Sequence, residues 1–264
     1  MRRVLLTTAA VASCVSAGAL RAQETPRLPD PAGQDRIVPV YDEPRHRQVF
    51  RSGSTRVLEL IVLPGDTSLF HSHEDPIVYI NLSAGALRTQ ELGKDWSQPG
   101  GRGGARGAPA AGAPAPPAAA PAAPAPAVRV TSTTGYAQTP VTHRITNTGT
   151  GTVHALVVVN QTKGTDATTP KDAGFEGMPE LTNNWFRAYR FSLPPGQYGT
   201  HTHKTPAFLA QTSDGTAVSQ GGRLSALNEP GDWAFFDAGT AHEMRNTSTA
   251  TVEFVEIEVR QPAR

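Results

Sequence analysis

Two stretches of the chain, Leu63-Pro64-Gly65-Asp66-Thr67-Ser68-Leu69-Phe70-His71-Ser72-His73-Glu74-Asp75-Pro76 and Pro194-Pro195-Gly196-Gln197-Tyr198-Gly199-Thr200-His201-Thr202-His203-Lys204-Thr205-Pro206, carry the same pattern. Each has a Pro-Gly turn, a His-x-His pair a few residues later, and a proline three residues beyond. Each is followed by a glycine twelve residues after its second histidine, Gly85 and Gly215. Downstream, each half repeats a histidine with an asparagine four residues later: His143 with Asn147, and His242 with Asn246. An apolar run follows in both cases, Val153 to Val159 and Val252 to Val259. A duplicated unit is the simplest source of this self-similarity.

The spacing agrees once one segment is set aside. His71 and His143 are 72 residues apart, but His201 and His242 only 41. The excess of 31 nearly equals the 30-residue stretch Gln98 to Ala127, which contains 13 Ala, 8 Pro, 6 Gly, two Arg and one Gln. It offers no side chain large enough for a core, and its prolines oppose both helix and sheet. Residues 98–127 therefore read as a disordered Pro/Ala/Gly-rich loop inserted between two strands of the first half.

The remaining signals are those of an all-β protein. Short apolar or alternating runs lie at 56–63, 76–82, 153–159, 185–193, 233–236 and 251–259, separated by Gly, Pro, Asn and Asp. No stretch after Gln23 holds a helical period over three turns. The 25 Gly and 23 Pro among 264 residues argue the same way. The start, Met1-Arg2-Arg3 followed by an uncharged run to Leu20 and small-residue sites at Ala17-Gly18-Ala19 and Ala22, reads as a secretory signal over 1–22. It predicts export, periplasmic or secreted. The single cysteine, Cys14, falls inside this leader. Val11-Ala12-Ser13-Cys14 loosely resembles a lipid-attachment site, so a lipid anchor at Cys14 is the one membrane association in view. The formal net charge of +1, with no basic run, gives no footprint for nucleic acid. No disulfide framework, cysteine-based zinc site, Ser-His-Asp spacing or phosphate-binding glycine loop is present. The expected division is 23–50 as an extended arm, 51–165 as a first barrel and 166–264 as a second. A homodimer is compatible with this layout.

The chemistry follows from strand geometry. Residues i and i+2 of a strand share a face, so His-x-His aims two imidazoles into one space. A third histidine from a neighbouring strand can close a three-nitrogen site on a divalent metal. The candidate ligands are His71, His73 and His143 in the first half and His201, His203 and His242 in the second. His154, on an apolar run, reads as a core or edge histidine. His46, between Arg45 and Arg47, reads as part of a solvated basic cluster.

These motifs resemble the cupin family, and in duplicate a bicupin. The family's first motif runs Gly, five residues, His-x-His, three or four residues, Glu, six residues, Gly; Gly65, His71, His73 and Gly85 match it. Gly196, His201, His203 and Gly215 match with one residue fewer. Gly231, Gly239, His242 and Asn246 match the second motif, with Asp237 in place of its proline; His143 and Asn147 match its end. The resemblance implies two jelly-roll β-barrels over about Val57 to Val259, each able to hold iron, manganese, zinc, nickel or copper. Counted back from the last glycine, the family's glutamate falls on Val78 and Phe208, which cannot bind metal. Glu74 is expected to face away. The sites are thus expected to be three neutral imidazoles without a carboxylate, leaving positions open for water, an anionic substrate or dioxygen. Within the family this resembles three-histidine dioxygenases. The leading reading is a metal-dependent oxygenase-like enzyme acting on a small organic molecule, with no general acid or base identified. The alternative is a non-catalytic binder of a sugar or aromatic ligand with a structural or absent metal.

Overall fold

A computed structural model describes residues 36–97, 128–165, 178–222 and 226–262. The leader with Cys14, the first part of the arm and the whole 98–127 insertion lie outside the described residues. Apart from two single 3-10 turns, every regular element among the described residues is a strand.

The first half contains β1 (Ile37–Pro39), β2 (His46–Ser52), β3 (Thr55–Val62), β4 (Phe70–His73), β5 (Ile77–Asn81), β6 (Leu87–Glu91), β7 (Arg129–Thr133), β8 (Val141–Asn147) and β9 (Val153–Asn160). They form two facing sheets, ordered β1-β4-β8-β6 and β2-β3-β9-β5-β7. The second half contains β10 (Leu181–Thr182), β11 (Phe186–Leu193), β12 (Tyr198–Thr202), β13 (Ala207–Gln211), β14 (Ala217–Gln220), β15 (Ala226–Leu227), β16 (Trp233–Phe236), β17 (Ala241–Asn246) and β18 (Val252–Val259). Its sheets run β12-β17-β14-β15 and β10-β11-β18-β13-β16. The repeat is visible in the pairing: β3-β9-β5-β7 has the order of β11-β18-β13-β16, and β4-β8-β6 that of β12-β17-β14. The insertion falls between β6 and β7, which belong to opposite sheets.

Both long sheets are buried on their two faces. Leu60, Val62, Val153, Ala155 and Val157 fill the first interior, and Leu193, Leu209, Phe236, Val252 and Phe254 the second. The opposite faces meet in a shared layer of Val78, Ile80, Leu156 and Val158 against Phe186, Phe208, Phe235, Val255 and Ile257. Side chains of this size each contribute about 1.5–3 kcal/mol on burial, so the layer joins the two barrels tightly. Asn160 crosses the seam, donating from Nδ2 to the carbonyls of Arg260 (2.7 Å) and Trp185 (3.1 Å).

Candidate metal centres in two barrels

Each His-x-His pair is delivered by a tight turn. Pro64-Gly65 and Pro195-Gly196 occupy the turn centres, with Asp66 N–H donating to Leu63 O and Gln197 N–H to Pro194 O, both at 3.0 Å. Gly65 and Gly196 have φ of 76° and 73°, a backbone state that L side chains resist. The repeated asparagines secure the other side. Asn147 Nδ2 donates to Val62 O and Gly151 O, and Asn246 Nδ2 to Leu193 O and Ala250 O, all within 2.9 Å. These asparagines hold the loop that precedes each strand and take no part in the histidine clusters.

The antiparallel register sets the third histidine directly opposite the first: His71 pairs with His143, and His201 with His242. In the first barrel the ring centroids of His71, His73 and His143 lie 4.7–5.0 Å apart. In the second, His201, His203 and His242 lie 4.2–5.2 Å apart. All six candidate histidines therefore stand in two clusters, one per barrel.

A fourth imidazole enters the first cluster. His46, expected in a solvated basic patch, is only 2% exposed, and its ring centroid is 4.4 Å from that of His71. One ring nitrogen from each of His46, His71 and His73 lies within 4.8 Å of the other two. The flanking arginines misled the reading because each has an anion. Arg45 is buried and bonds Asp66 through Nε (2.8 Å) and Nη2 (2.6 Å), while Arg47 pairs with Glu59. A β-bulge between Gln48 and Phe50 also matters. It reverses the alternation, so His46 faces the barrel while Phe50 packs on Trp233 and Phe235 in the shared layer.

In the second barrel the fourth donor is a carboxylate. The expectation of carboxylate-free sites is corrected here: Glu256 of β18 is fully buried, with Oε2 2.9 Å from His201 Nε2 and Oε1 2.7 Å from His203 Nε2. His242 Nε2 lies 3.2 Å from Oε1, though without hydrogen-bond alignment. Counting from the last glycine also placed the glutamate position one residue out of phase. Val78 and Phe208 face the shared layer, and the barrel-facing neighbours are Ile77 and Tyr79, Ala207 and Leu209. Glu256 stands directly opposite Leu209 on the adjacent strand, so a carboxylate still reaches the cluster. Its first-barrel counterpart is Val157, opposite Tyr79. The overlooked signal was the spacing Val252, Phe254, Glu256, Glu258: on a strand apolar on both faces, these glutamates share the interior face.

The two clusters differ in charge. Burial, reinforced by the neighbouring imidazoles, holds His71 and His73 well below the usual 6.5 and His143 at about 4. His71, His73 and His143 are therefore neutral near pH 7. Burial alone would lower His203 too, but hydrogen bonds and charges from Glu256 and Glu258 carry it up to about 9. Burial opposes the charge of Glu256, yet hydrogen bonds from His201 and His203 and the close approach of His242 hold it well below the carboxylate range. Glu258 Oε1 lies 3.5 Å from His203 Nδ1, and Glu258 also pairs with buried Arg187.

No family model matches the chain, and no curated sequence matches it. Solved structures do. AerE from Microcystis aeruginosa superposes with a TM-score of 0.52 at 11% identity, covering 80% of this chain and 90% of that one. YhhW from Escherichia coli gives 0.49 at 10% identity over 84% and 91%. A cupin 2 conserved barrel domain protein from Leptotrichia buccalis gives 0.44 at 8% over 81% and 88%. The chain shares the fold of AerE, and its histidine motifs resemble those of cupins. At these identities the likeness concerns the fold alone.

The donor sets of the two barrels suit a divalent transition metal. His71 donates from Nδ1 to Leu69 O (3.0 Å), which leaves Nε2 as the bare acceptor; Nε2 of His71 and of His73 are buried with no hydrogen-bond partner. Buried acceptors without a partner are costly unless something electrophilic is bound there. Beside the two histidine clusters, Tyr136 stacks on His73 at 4.8 Å and Phe236 on His242 at 3.7 Å. A half-open cavity of about 180 Å³ reaches His73 between Tyr41, Asp75 and Gln161. Tyr41 donates to Asp75 Oδ2 (2.7 Å), and Gln161 Nε2 donates to the same oxygen (3.0 Å). Glu74 is exposed, and half-buried His154 lies 3.2 Å from Glu59 at the seam, apart from both clusters.

Proposed function

We propose that the protein is an exported metal-dependent bicupin enzyme of oxygenase type, acting on a small organic molecule in the first barrel. The observation that carries this is the pair of buried, unpartnered Nε2 atoms on the neutral imidazoles of His71 and His73. His71, His73 and His143 would hold the ion, and the metal, when bound, would supply Lewis-acid or oxygen-directed chemistry. The protein's own part is orientation and exclusion of water. Tyr136 fixes the His73 ring by stacking, Leu69 O fixes the tautomer of His71, and the apolar interior of Leu60, Val62 and Val157 keeps bulk water out. Tyr79 and Tyr136 line the interior near the histidines, where an aromatic or diketone substrate would pack.

A second reading, a small-ligand binder with a structural or absent metal, draws on the second barrel. There Glu256 already satisfies the imidazoles as an ion pair, so that cluster is chemically closed without a metal. Metal analysis combined with oxygen uptake on phenols, diketones and thiols separates the two. Stoichiometric metal with uptake that disappears in His73→Gln supports the enzyme. Metal without uptake on any class favours the binder.

A further inference from the structure

We propose that His46 is a metal ligand of the first barrel, brought in by the N-terminal segment and oriented by Glu43. The site would take a nitrogen-preferring divalent ion such as zinc, nickel or copper in preference to manganese. This rests on the metal reading above and adds a donor to it.

The geometry singles out His46. It belongs to the nitrogen trio within 4.8 Å, and His143 does not. Its Nδ1 lies 2.9 Å from Glu43 Oε2, so a proton held there leaves Nε2 as the ligand atom. Carboxylate–histidine–metal chains of this kind fix both ring and tautomer. Glu43 is itself immobilised: Oε2 also accepts the N–H of Arg45 and of His46, and Oε1 accepts the N–H of Leu69. Leu69 O in turn accepts from His71 Nδ1, so one carboxylate ties together two segments that carry ligands. Arg45 clamps the same segment onto Asp66, the residue after Gly65.

Among the described residues the second barrel has no counterpart. Phe191 is the repeat equivalent of Leu60, which His46 faces, but β10 pairs only with Arg187 and Ala188 and places nothing opposite Phe191. That barrel gains its extra donor from Glu256. An imidazole-only set binds late first-row ions well and manganese poorly, whereas the set with a carboxylate does not impose that bias.

Zinc titration against a competing chelator tests the proposal on the full-length chain, with the first-barrel site defined as the one lost in His71→Gln. His46→Gln is expected to weaken zinc at that site by roughly 100-fold, and Glu43→Gln by at least about 10-fold. In copper-loaded protein, the electron paramagnetic resonance spectrum of that site should lose one nitrogen coupling in His46→Gln. Unchanged zinc affinity and nitrogen count in a folded His46→Gln protein overturn the proposal. Should that variant not fold, unchanged affinity in Glu43→Gln overturns it. A His71-dependent site indifferent to His46 sinks this inference alone. Absence of any His71-dependent site sinks the metal reading with it.

Discussion

Glu256 is enclosed by three imidazoles and has no exposed side-chain surface. Removing one partner of such a buried ionic group leaves the others uncompensated, at a cost of about 3 kcal/mol or more. Glu256→Gln should therefore lower the urea-unfolding free energy of the metal-free protein by about that amount. The two clusters also predict opposite pH responses. The first-barrel histidines resist protonation when folded, so between pH 6.5 and about 4 the unfolded chain takes up more protons and stability falls as pH falls. His203 holds its proton up to about 9, so its contribution is complete below 6.5 and is lost as pH rises towards 9. Thermal midpoints of metal-free protein should peak near pH 6.5 and decline on both sides. His143→Gln should flatten the acid limb and leave the alkaline limb unchanged.

At the scale of the element, the bulge in β2 decides what the strand offers to each side. With Val49 present, His46 faces one layer and Phe50 the other. Deleting Val49 alone would keep both faces, because His46 and Phe50 would then be three residues apart in unbroken register. Deleting Gln48 and Val49 together leaves them two apart, on one face, and the two side chains can no longer both be placed. The double deletion should abolish His71-dependent zinc binding, measured by chelator competition, while the His203-dependent site retains its affinity. This element also marks where sequence reading stopped. The i, i+2 rule made both His-x-His pairs legible, because strand parity is local. His46 was hidden because its burial depends on Asp66 in the turn after β3 and Glu59 on β3, which neutralise its neighbours, and on a bulge that no local pattern announces. The glutamate position was missed for a related reason: one residue of register error moves a side chain from the interior to the shared layer.

Across the whole molecule, duplication was readable because His71 and His201, Asn147 and Asn246, and the Pro-Gly turns recur in order. The joining of the barrels was less so. Strands such as β9 and β18 are apolar on both faces, a pattern that shows burial without naming what lies beyond. The shared layer around Phe208 and Phe235 predicts that the two barrels unfold together. Phe235→Ala should cost about 3–5 kcal/mol and still give a single calorimetric transition. Replacing residues 98–127 with a short Gly/Ser linker should shift the thermal midpoint by less than about 2 °C, since loop-closure entropy changes slowly with length.

The account rests on the histidine clusters being metal centres. The most direct measurement is the metal content of protein purified from its native compartment, by mass spectrometry, beside His71→Gln and His203→Gln variants. At least about one divalent transition ion per chain is expected, with the first-barrel ion lost in His71→Gln and retained in His203→Gln. Folded protein carrying no stoichiometric metal, and acquiring none from added zinc, would contradict it.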